Sequence, residues 1–125
     1  MYSKLAIIGN VGKTPEMRYT PEGKAVCQFS VASNRTYGGK KETTWYRITV
    51  WDKTAEACNK YLSAGSKVFV EGRLTPDPET GNPKVYQRKD GTWGASFEVT
   101  ASVVQFLDSK DANTNDDKED EQIPF

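Results

Sequence analysis

Apolar and polar residues alternate along much of this chain, and the alternation predicts β-strands. Between residues 25 and 31 every odd position is apolar, whereas Gln28 and Ser30 make the opposite side polar. Side chains point alternately to the two faces of a strand, so this pattern places one face on a core. Four further strands are expected, over residues 5–8, 43–51, 67–74 and 93–103.

A single helix is predicted over residues 52–64, between the third and the fourth strand. Its apolar stripe, at positions i, i+3 and i+7, consists of Ala55, Cys58 and Leu62. Asp52 or Thr54 is the expected N-cap, because either side chain can accept a hydrogen bond from the first unpaired N–H groups. Gly65 is the expected stop, since glycine readily adopts the left-handed conformation that ends many helices.

Proline and glycine mark the irregular segments. Residues 75–83 contain so many of them that a long loop or a hairpin tip is expected there. Residues 85–88 then form a returning arm that turns again at 90–91. Gly12 and Pro15 predict an irregular connection after the first strand.

Five strands with one helix between the third and the fourth predict an all-β fold with one short helix. The OB-fold, a five-stranded Greek-key barrel, has this arrangement, although a sandwich with a similar number of strands also fits the pattern. Residues 1–107 are expected to form this domain. Residues 108–125 are polar and lack apolar periodicity, so we expect them to form a disordered acidic tail.

The predicted strand 43–51 carries the strongest functional signal. One of its faces is apolar (Tyr46, Ile48 and Val50), and the other, which we call the tryptophan face, consists of Trp45, Arg47, Thr49 and Trp51. Two indoles beside a cation are unusual for a core and typical of a surface that receives flat ligands. By contrast, Tyr46, Phe29 and Phe97 are interpreted as core residues, and Trp93 as structural, since each lies on an otherwise apolar face.

This arrangement favours binding to single-stranded nucleic acid without sequence preference. Unpaired bases expose their π-faces and stack on aromatic rings, while phosphates require cations. The stacking candidates are Trp45 and Trp51, with Tyr37 and Tyr86 in nearby loops. The basic candidates are Arg35, Arg47, Lys53, Arg73 and Arg88, interleaved with Lys40, Lys41 and Lys89.

Charge is divided unevenly along the chain, although 17 basic and 17 acidic residues balance overall. Residues 1–107 hold 15 Lys and Arg against 10 Asp and Glu, whereas residues 108–125 hold 2 against 7, which gives +5 and −5. A basic body suggests a polyanionic partner, and the tail could compete for the same surface.

The composition argues against an enzyme. The chain contains no histidine, the commonest general base and metal ligand, and neither a metal nor a cofactor is expected. Residues 9–14 (GNVGKT) end like a phosphate-binding loop. However, the glycine that this motif requires five places before Gly12 is replaced by Ile7, and Pro15 follows at once. Nucleotide binding is therefore not expected.

Cysteine usage and the first residues bear on the location of the protein. Cys27 and Cys58 form no C-x-x-C pair and are expected to be buried free thiols rather than a disulfide or a metal site. The apolar run at 5–8 is too short for a signal peptide or a membrane span. A cytoplasmic location without membrane association is expected.

The last residues combine acids with an apolar tripeptide. Such a segment can insert Phe125 into a pocket of a partner protein while a basic rim holds the acids. The alternative is a plain solubilising tail. The candidate partner-binding residues are Asp120, Glu121, Ile123, Pro124 and Phe125.

Several segments together resemble the bacterial single-stranded DNA-binding proteins. These are residues 8–12 (IGNVG), 15–19 (PEMRY), 44–47 (TWYR), 53–56 (KTAE), 61–62 (YL), 65–66 (GS) and 70–74 (VEGRL), with the ending IPF after acids. The resemblance implies an OB-fold homotetramer that binds and protects single strands during DNA replication, recombination and repair. It also implies a bacterial, nucleoid-associated protein that recruits genome-maintenance proteins through its acidic tip.

The resemblance also implies roles for individual residues. Trp45 falls where the family has a stacking tryptophan, and Trp51 where it usually has a stacking phenylalanine. Tyr37 and Tyr86 fall where many members have tryptophan, and Lys53 matches a commonly basic position.

Three other functions remain compatible with the residues alone. An OB-fold RNA-binding or primosome-type module has the same composition. A small NTPase is the enzyme alternative. A pure protein adaptor would use the tail without binding DNA.

Overall fold

A computed structural model of the chain describes residues 2–107. Eight strands and one helix follow one another in this part of the chain. They are β1 (Leu5–Val11), β2 (Glu16–Tyr19), β3 (Ala25–Tyr37), β4 (Lys40–Trp51), α1 (Asp52–Tyr61), β5 (Lys67–Leu74), β6 (Val85–Gln87), β7 (Trp93–Ala95) and β8 (Phe97–Phe106). The tail and the tip predicted from residues 108–125 lie outside the described residues.

Five strands close into a barrel. β3 pairs with β4 and β5 with β8 in antiparallel fashion, whereas β4 and β8 run parallel. β1 pairs with β5 along most of its length and reaches β3 at Asn10↔Ala32 and Val11↔Val31, which closes the barrel. The helix lies between β4 and β5 in the chain. The predicted OB-fold barrel is therefore confirmed, and the sandwich is excluded.

The barrel interior is filled by the apolar faces that the alternation predicted. Its fully buried side chains include Val31, Ile48, Val50, Val68, Val70 and Val99. The helix contributes its predicted stripe, since Ala55, Cys58 and Leu62 belong to the same core cluster. Two glycines let strands approach closely: a Cβ at Gly9 would overlap the carbonyl oxygen of Ala32, and one at Gly72 that of Thr100. No side chain fits at these two positions.

The predicted helix caps were wrong. The N-cap is Trp51, in an extended conformation without a side-chain hydrogen bond, and the helix ends at Tyr61 rather than Ala64. Asp52 has a φ of +56°, a left-handed conformation that Asp tolerates better than most residues. The chain therefore turns sharply from β4 into α1 by its backbone alone. Gly65 has a φ of +93° but lies in the turn that follows the helix.

Two strand predictions also need correction. Residues 16–19 form β2, which pairs with β3 from Glu16↔Gln28 to Tyr19↔Ala25, although an irregular connection was expected. The long strand predicted over 93–103 is divided at Ser96, because β7 pairs with β6 while β8 joins the barrel. In both cases strand pairing, of β2 with β3 and of β7 with β6, determines where the strands begin and end, and the local pattern of apolar residues does not. The hairpin of β6 and β7 has its turn at the expected place, where Gly91 N–H donates to the Arg88 carbonyl oxygen (2.9 Å).

The two cysteines are free and fully buried, as expected. Burial raises the pKa of the Cys27 thiol, and burial together with the neighbouring Cys27 raises the pKa of the Cys58 thiol to about 12. Both thiols therefore remain protonated at neutral pH. In residues 2–107 no helix is long and apolar enough to cross a membrane, and no group of side chains in this range could hold a metal ion.

Candidate nucleic-acid interface

The tryptophan face lies on the outside of the barrel, opposite the buried side chains of Ile48 and Val50. Trp45 is 53% exposed and Trp51 39% exposed. Across the β3–β4 ladder the face continues through Ala32↔Trp45, Ser30↔Arg47, Gln28↔Thr49 and Val26↔Trp51. Gln28 Nε2 donates to Thr49 Oγ1 at 3.3 Å. The sequence-based prediction of an exposed aromatic and basic strand face is confirmed in its geometry.

Trp45 rests on a glycine. A Cβ at Gly12 would lie 2.6 Å from Cζ3 of the Trp45 ring and 2.8 Å from Ser30 Oγ. The missing side chain therefore leaves room for the indole to lie against the β1–β2 connection, while more than half of its surface stays exposed. This contact explains why the GNVGKT segment contains a second glycine. No helix starts there, since β1 ends at Val11 and β2 begins at Glu16, so the geometry of a phosphate-binding loop is absent from this segment.

A cleft of about 460 Å³ opens beside Trp45. Its lining combines Trp45 and Arg47 with Lys13, Gln28, Ser30 and Ser96, and it includes Glu16 as an acidic neighbour. Lys13, Gln28 and Ser30 were missed as candidates by sequence reasoning. Gln28 and Ser30 were already assigned to the polar face of their strand, and only the ladder shows that this face continues the tryptophan face.

The outer surface extends over β8 to β5. Thr49 pairs with Thr100, and Thr100 pairs with Arg73, so paired side chains share one face across three strands. At a strand spacing of about 4.8 Å, Arg73 is roughly 10 Å from Thr49. Arg73 lines a different cleft from Trp45. Lys53 is exposed in the first turn of α1, two residues after Trp51.

The tip of the β3–β4 hairpin holds Arg35 and Tyr37 together. The Arg35 guanidinium lies 4.9 Å from the centre of the Tyr37 ring, and Glu42 contacts both side chains. This cluster lies at the far end of the two strands that carry the tryptophan face. The placement of Tyr37 in a loop was wrong, since it ends β3, where its ring is exposed and, like Arg35, lies on the ladder face opposite to that of Trp45 and Arg47.

The β6–β7 hairpin places Tyr86 and Arg88 on one face. Arg88 Nη1 donates to the carbonyl oxygen of Trp93 (2.6 Å), and its guanidinium lies 5.6 Å from the Tyr86 ring centre. A Cβ at Gly94 would overlap the guanidinium, so this glycine makes room for it. Arg88 therefore links the two arms of the hairpin through its hydrogen bond to Trp93, and its charged group remains exposed to solvent.

The turn of this hairpin is fixed by Asp90. Its carboxylate accepts hydrogen bonds from the N–H (3.0 Å) and the hydroxyl (2.7 Å) of Thr92. These bonds lower the pKa of Asp90 below its ordinary value, because they favour the charged form. The hairpin turn is thus stabilised by two hydrogen bonds to the Asp90 carboxylate.

Two aromatic side chains assigned to apolar strand faces are exposed. Trp93 is 66% exposed and lies on the hairpin face opposite Tyr86, where it pairs with Gln87. Phe97 is more than half exposed at the barrel end, with its ring 5.7 Å from that of Tyr46. The interpretations of Trp93 as structural and Phe97 as core are therefore wrong, whereas Phe29 is buried and Tyr46 is half-buried. The division of the last strand at Ser96 turns Trp93 away from the core.

Comparison with known proteins agrees with this geometry. The profile of the "Single-strand binding protein family" matches residues 2–107. The chain is similar to a "Single-stranded DNA-binding protein" of Neisseria meningitidis (34% identity over 117 residues, 90% of this chain and 63% of the relative). It is also similar to "Single-stranded DNA-binding protein 1" of Staphylococcus aureus (38% over 123 residues, 96% and 73%). "Single-stranded DNA-binding protein 2" of Listeria monocytogenes is 37% identical over 116 residues (90% and 68%). The chain thus spans less than two thirds of the length of the Neisseria relative.

Proposed function

Since the chain belongs to the single-strand binding protein family, we propose that it binds and protects single-stranded DNA without strong sequence preference. The observation that carries this proposal is the exposure of Trp45 and Trp51 on the same outer strand face as Arg47. Bases stack on the two indoles, because stacking is indifferent to base identity. Arg47 and Lys13 at the cleft, with Arg73 and Lys53 farther out, meet the phosphates. Such binding requires no covalent step, and we propose a non-enzymatic role.

The test is a titration with oligo-dT followed by tryptophan fluorescence. Stacking on Trp45 and Trp51 should quench the emission, and mixed-sequence DNA should bind with similar affinity. Oligo-U is the comparison that separates DNA from RNA binding, since the ribose 2′-hydroxyl distinguishes the two. Tighter binding of oligo-U would favour the RNA-binding or primosome-type module. Absence of any quenching by DNA would favour the protein adaptor, and DNA-stimulated ATP hydrolysis would favour the NTPase.

We further propose that residues 1–107 are the DNA-binding unit and form a homotetramer. In β1 the segment 5–8 pairs with β5, and the described pairing with β3 begins only at Asn10. The other edge of this segment therefore offers backbone groups to a second copy. Light scattering of residues 1–107 at micromolar concentration should give four times the monomer mass, and a monomeric mass would refute the proposal.

The acidic segment 108–125 is proposed to recruit proteins of DNA replication, recombination and repair, and not to bind DNA. Asp120 and Glu121 steer a basic partner, and the apolar tip Ile123–Pro124–Phe125 anchors it. Recruitment of this kind would place the protein with DNA in the bacterial cytoplasm, at the nucleoid.

Replacement of Phe125 with alanine should reduce capture of these proteins from bacterial lysate by about 30-fold, the effect of losing one anchor residue worth ~2 kcal/mol. The affinity for oligo-dT should not change. Removal of residues 108–125 takes away a charge of −5 and should leave DNA affinity unchanged or raise it, most visibly at low salt. Equal recovery of partners by the wild type and Phe125→Ala would show that the segment only adds solubility.

A further inference from the structure

At the tip of the β3–β4 hairpin, the carboxylate of Glu42 contacts two DNA-binding candidates, Arg35 and Tyr37. The Tyr37 hydroxyl donates to Glu42 Oε2 at 3.1 Å, and Arg35 Nη2 lies 3.8 Å from Glu42 Oε1. The strand register explains the arrangement, since Arg35 is directly opposite Glu42 and Tyr37 is opposite Lys40. All four side chains therefore share one face of the hairpin.

The cluster of Arg35, Tyr37 and Glu42 is exposed to solvent and does not belong to the core. The side chain of Arg35 is 72% exposed and that of Glu42 is 53% exposed. Exposed ion pairs of this kind contribute little to stability and exchange readily. The Glu42 carboxylate is therefore a replaceable partner of Arg35, and an anion from solution can take its place.

The anion that fits this position is a phosphate of the DNA backbone. A guanidinium recognises carboxylate and phosphate oxygens with the same donors, and a tyrosine hydroxyl can donate to either. The Arg35 guanidinium already lies over one face of the Tyr37 ring, so the opposite face can receive a base. A phosphate at Arg35 would thus lie beside a base on Tyr37, as neighbouring parts of a single strand do.

We propose that Glu42 is a built-in competitor of DNA at this subsite, and that its carboxylate leaves Arg35 when a backbone phosphate binds. The proposal rests on the proposed DNA-binding function and adds a regulatory residue to it. In the free protein Glu42 pairs with Arg35 and accepts the hydrogen bond of the Tyr37 hydroxyl. In the complex Arg35 pairs with phosphate, and the released carboxylate attracts a cation from solution.

This exchange has a measurable consequence for the salt dependence of binding. A phosphate contact normally releases counterions, and log K changes by about −0.7 per contact for each unit of log salt concentration. When a phosphate binds Arg35, the DNA releases a counterion, but the freed Glu42 carboxylate takes up a cation from solution. The two changes cancel, so this contact adds little to the slope of log K against log salt concentration. Removing the Glu42 charge should restore the missing contribution.

The decisive variant is Glu42→Gln, because an amide oxygen can still accept the Tyr37 hydrogen bond. The matched control is Glu22→Gln, an exposed carboxylate in the turn between β2 and β3 that alters the net charge equally. Oligo-dT affinity is measured for the full chain over a series of salt concentrations. Glu42→Gln should bind about two- to fivefold more tightly at low salt, with a slope steeper by about 0.7, whereas Glu22→Gln should keep the wild-type slope.

Two further variants, Arg35→Gln and the double variant Arg35→Gln/Glu42→Gln, show whether the slope change caused by Glu42→Gln depends on Arg35. In the absence of Arg35 the change at Glu42 should leave the slope unaltered. The inference is overturned if Glu42→Gln behaves like Glu22→Gln, or if its slope change persists without Arg35. Absence of oligo-dT binding by the wild type would instead overturn the proposed function itself, and the inference with it.

Discussion

Replacing Trp45 with alanine should weaken oligo-dT binding about 5- to 150-fold, the usual effect of losing one base stack worth ~1–3 kcal/mol. Replacing Trp51 should have an effect in the same range. Both indoles are exposed on the outer face of β4, while the core residues of the same strand point inward. The rings are therefore available to bases and contribute little to the barrel interior.

The two variants should differ in stability. Trp51 is paired with Val26, which is buried although it lies on the outer face, so removal of the Trp51 ring uncovers apolar surface. Trp45 lies over Gly12, where the ring covers backbone. Thermal unfolding should therefore give a lower Tm for Trp51→Ala than for Trp45→Ala.

Tyr61→Ala provides the aromatic control for these measurements. Tyr61 is exposed at the end of α1, with its ring 5.8 Å from that of Phe106, and it is not part of the tryptophan face. Its replacement should leave DNA affinity unchanged. Unchanged affinity of the folded Trp45→Ala and Trp51→Ala proteins would show that these tryptophans do not stack on bases.

Raising the salt concentration fourfold should weaken oligo-dT binding by about a hundredfold. Five exposed cations are counted as phosphate contacts: Lys13, Arg47, Lys53 and Arg73, with Arg88 on the β6–β7 hairpin. If about five phosphates are neutralised, the slope of log K against log salt is near −3.5, at roughly −0.7 per contact. Arg35 is not counted, because the proposed exchange of Glu42 for a phosphate would cancel its contribution to the slope.

Replacing one cation at a time measures how much each of them contributes to the slope of log K against log salt concentration. Arg47→Gln removes the charge that lies between the two indoles along the outer face of β4 and should make the slope shallower by about 0.7. The comparison of oligo-dT with mixed-sequence DNA should show little preference at any salt concentration. A salt-independent affinity, or a strong preference for one mixed sequence, would contradict recognition by stacking and backbone contacts.

Strand faces and helix stripes could be predicted from the sequence because they are local geometry. Consecutive side chains in a strand must point to opposite sides, so the pattern around Trp45, Arg47 and Trp51 defined an outer face before any strand was paired. The helical period did the same for Ala55 and Cys58, which lie in the core. The order of these elements agreed with a five-stranded barrel, but it fitted a sandwich as well until the pairing of β1 with β3 closed the barrel.

Contacts between distant segments were decided only by the tertiary structure. The local pattern placed Trp93 on an apolar face, but β7 pairs with β6 instead of continuing into the barrel, and the ring is exposed. The sequence marked Gly12 as a turn residue, whereas its function is to leave space for Trp45, 33 positions away. The contacts of Glu42 with Tyr37 and Arg35, five and seven positions away, arise from the β3–β4 register, which was not predicted because Tyr37 was assigned to a loop.

The chain by itself thus determined the outward and inward sides of β3, β4 and α1 and the family that the domain resembles. Those properties depend on residue type and on a repeat of two or 3.6 positions, and both are present in any short window. The tertiary structure decided which outward side chains meet. Strand pairing brings Gln28 and Ser30 beside Trp45 and Arg47 in one cleft, because register and barrel closure depend on contacts between segments far apart in the chain.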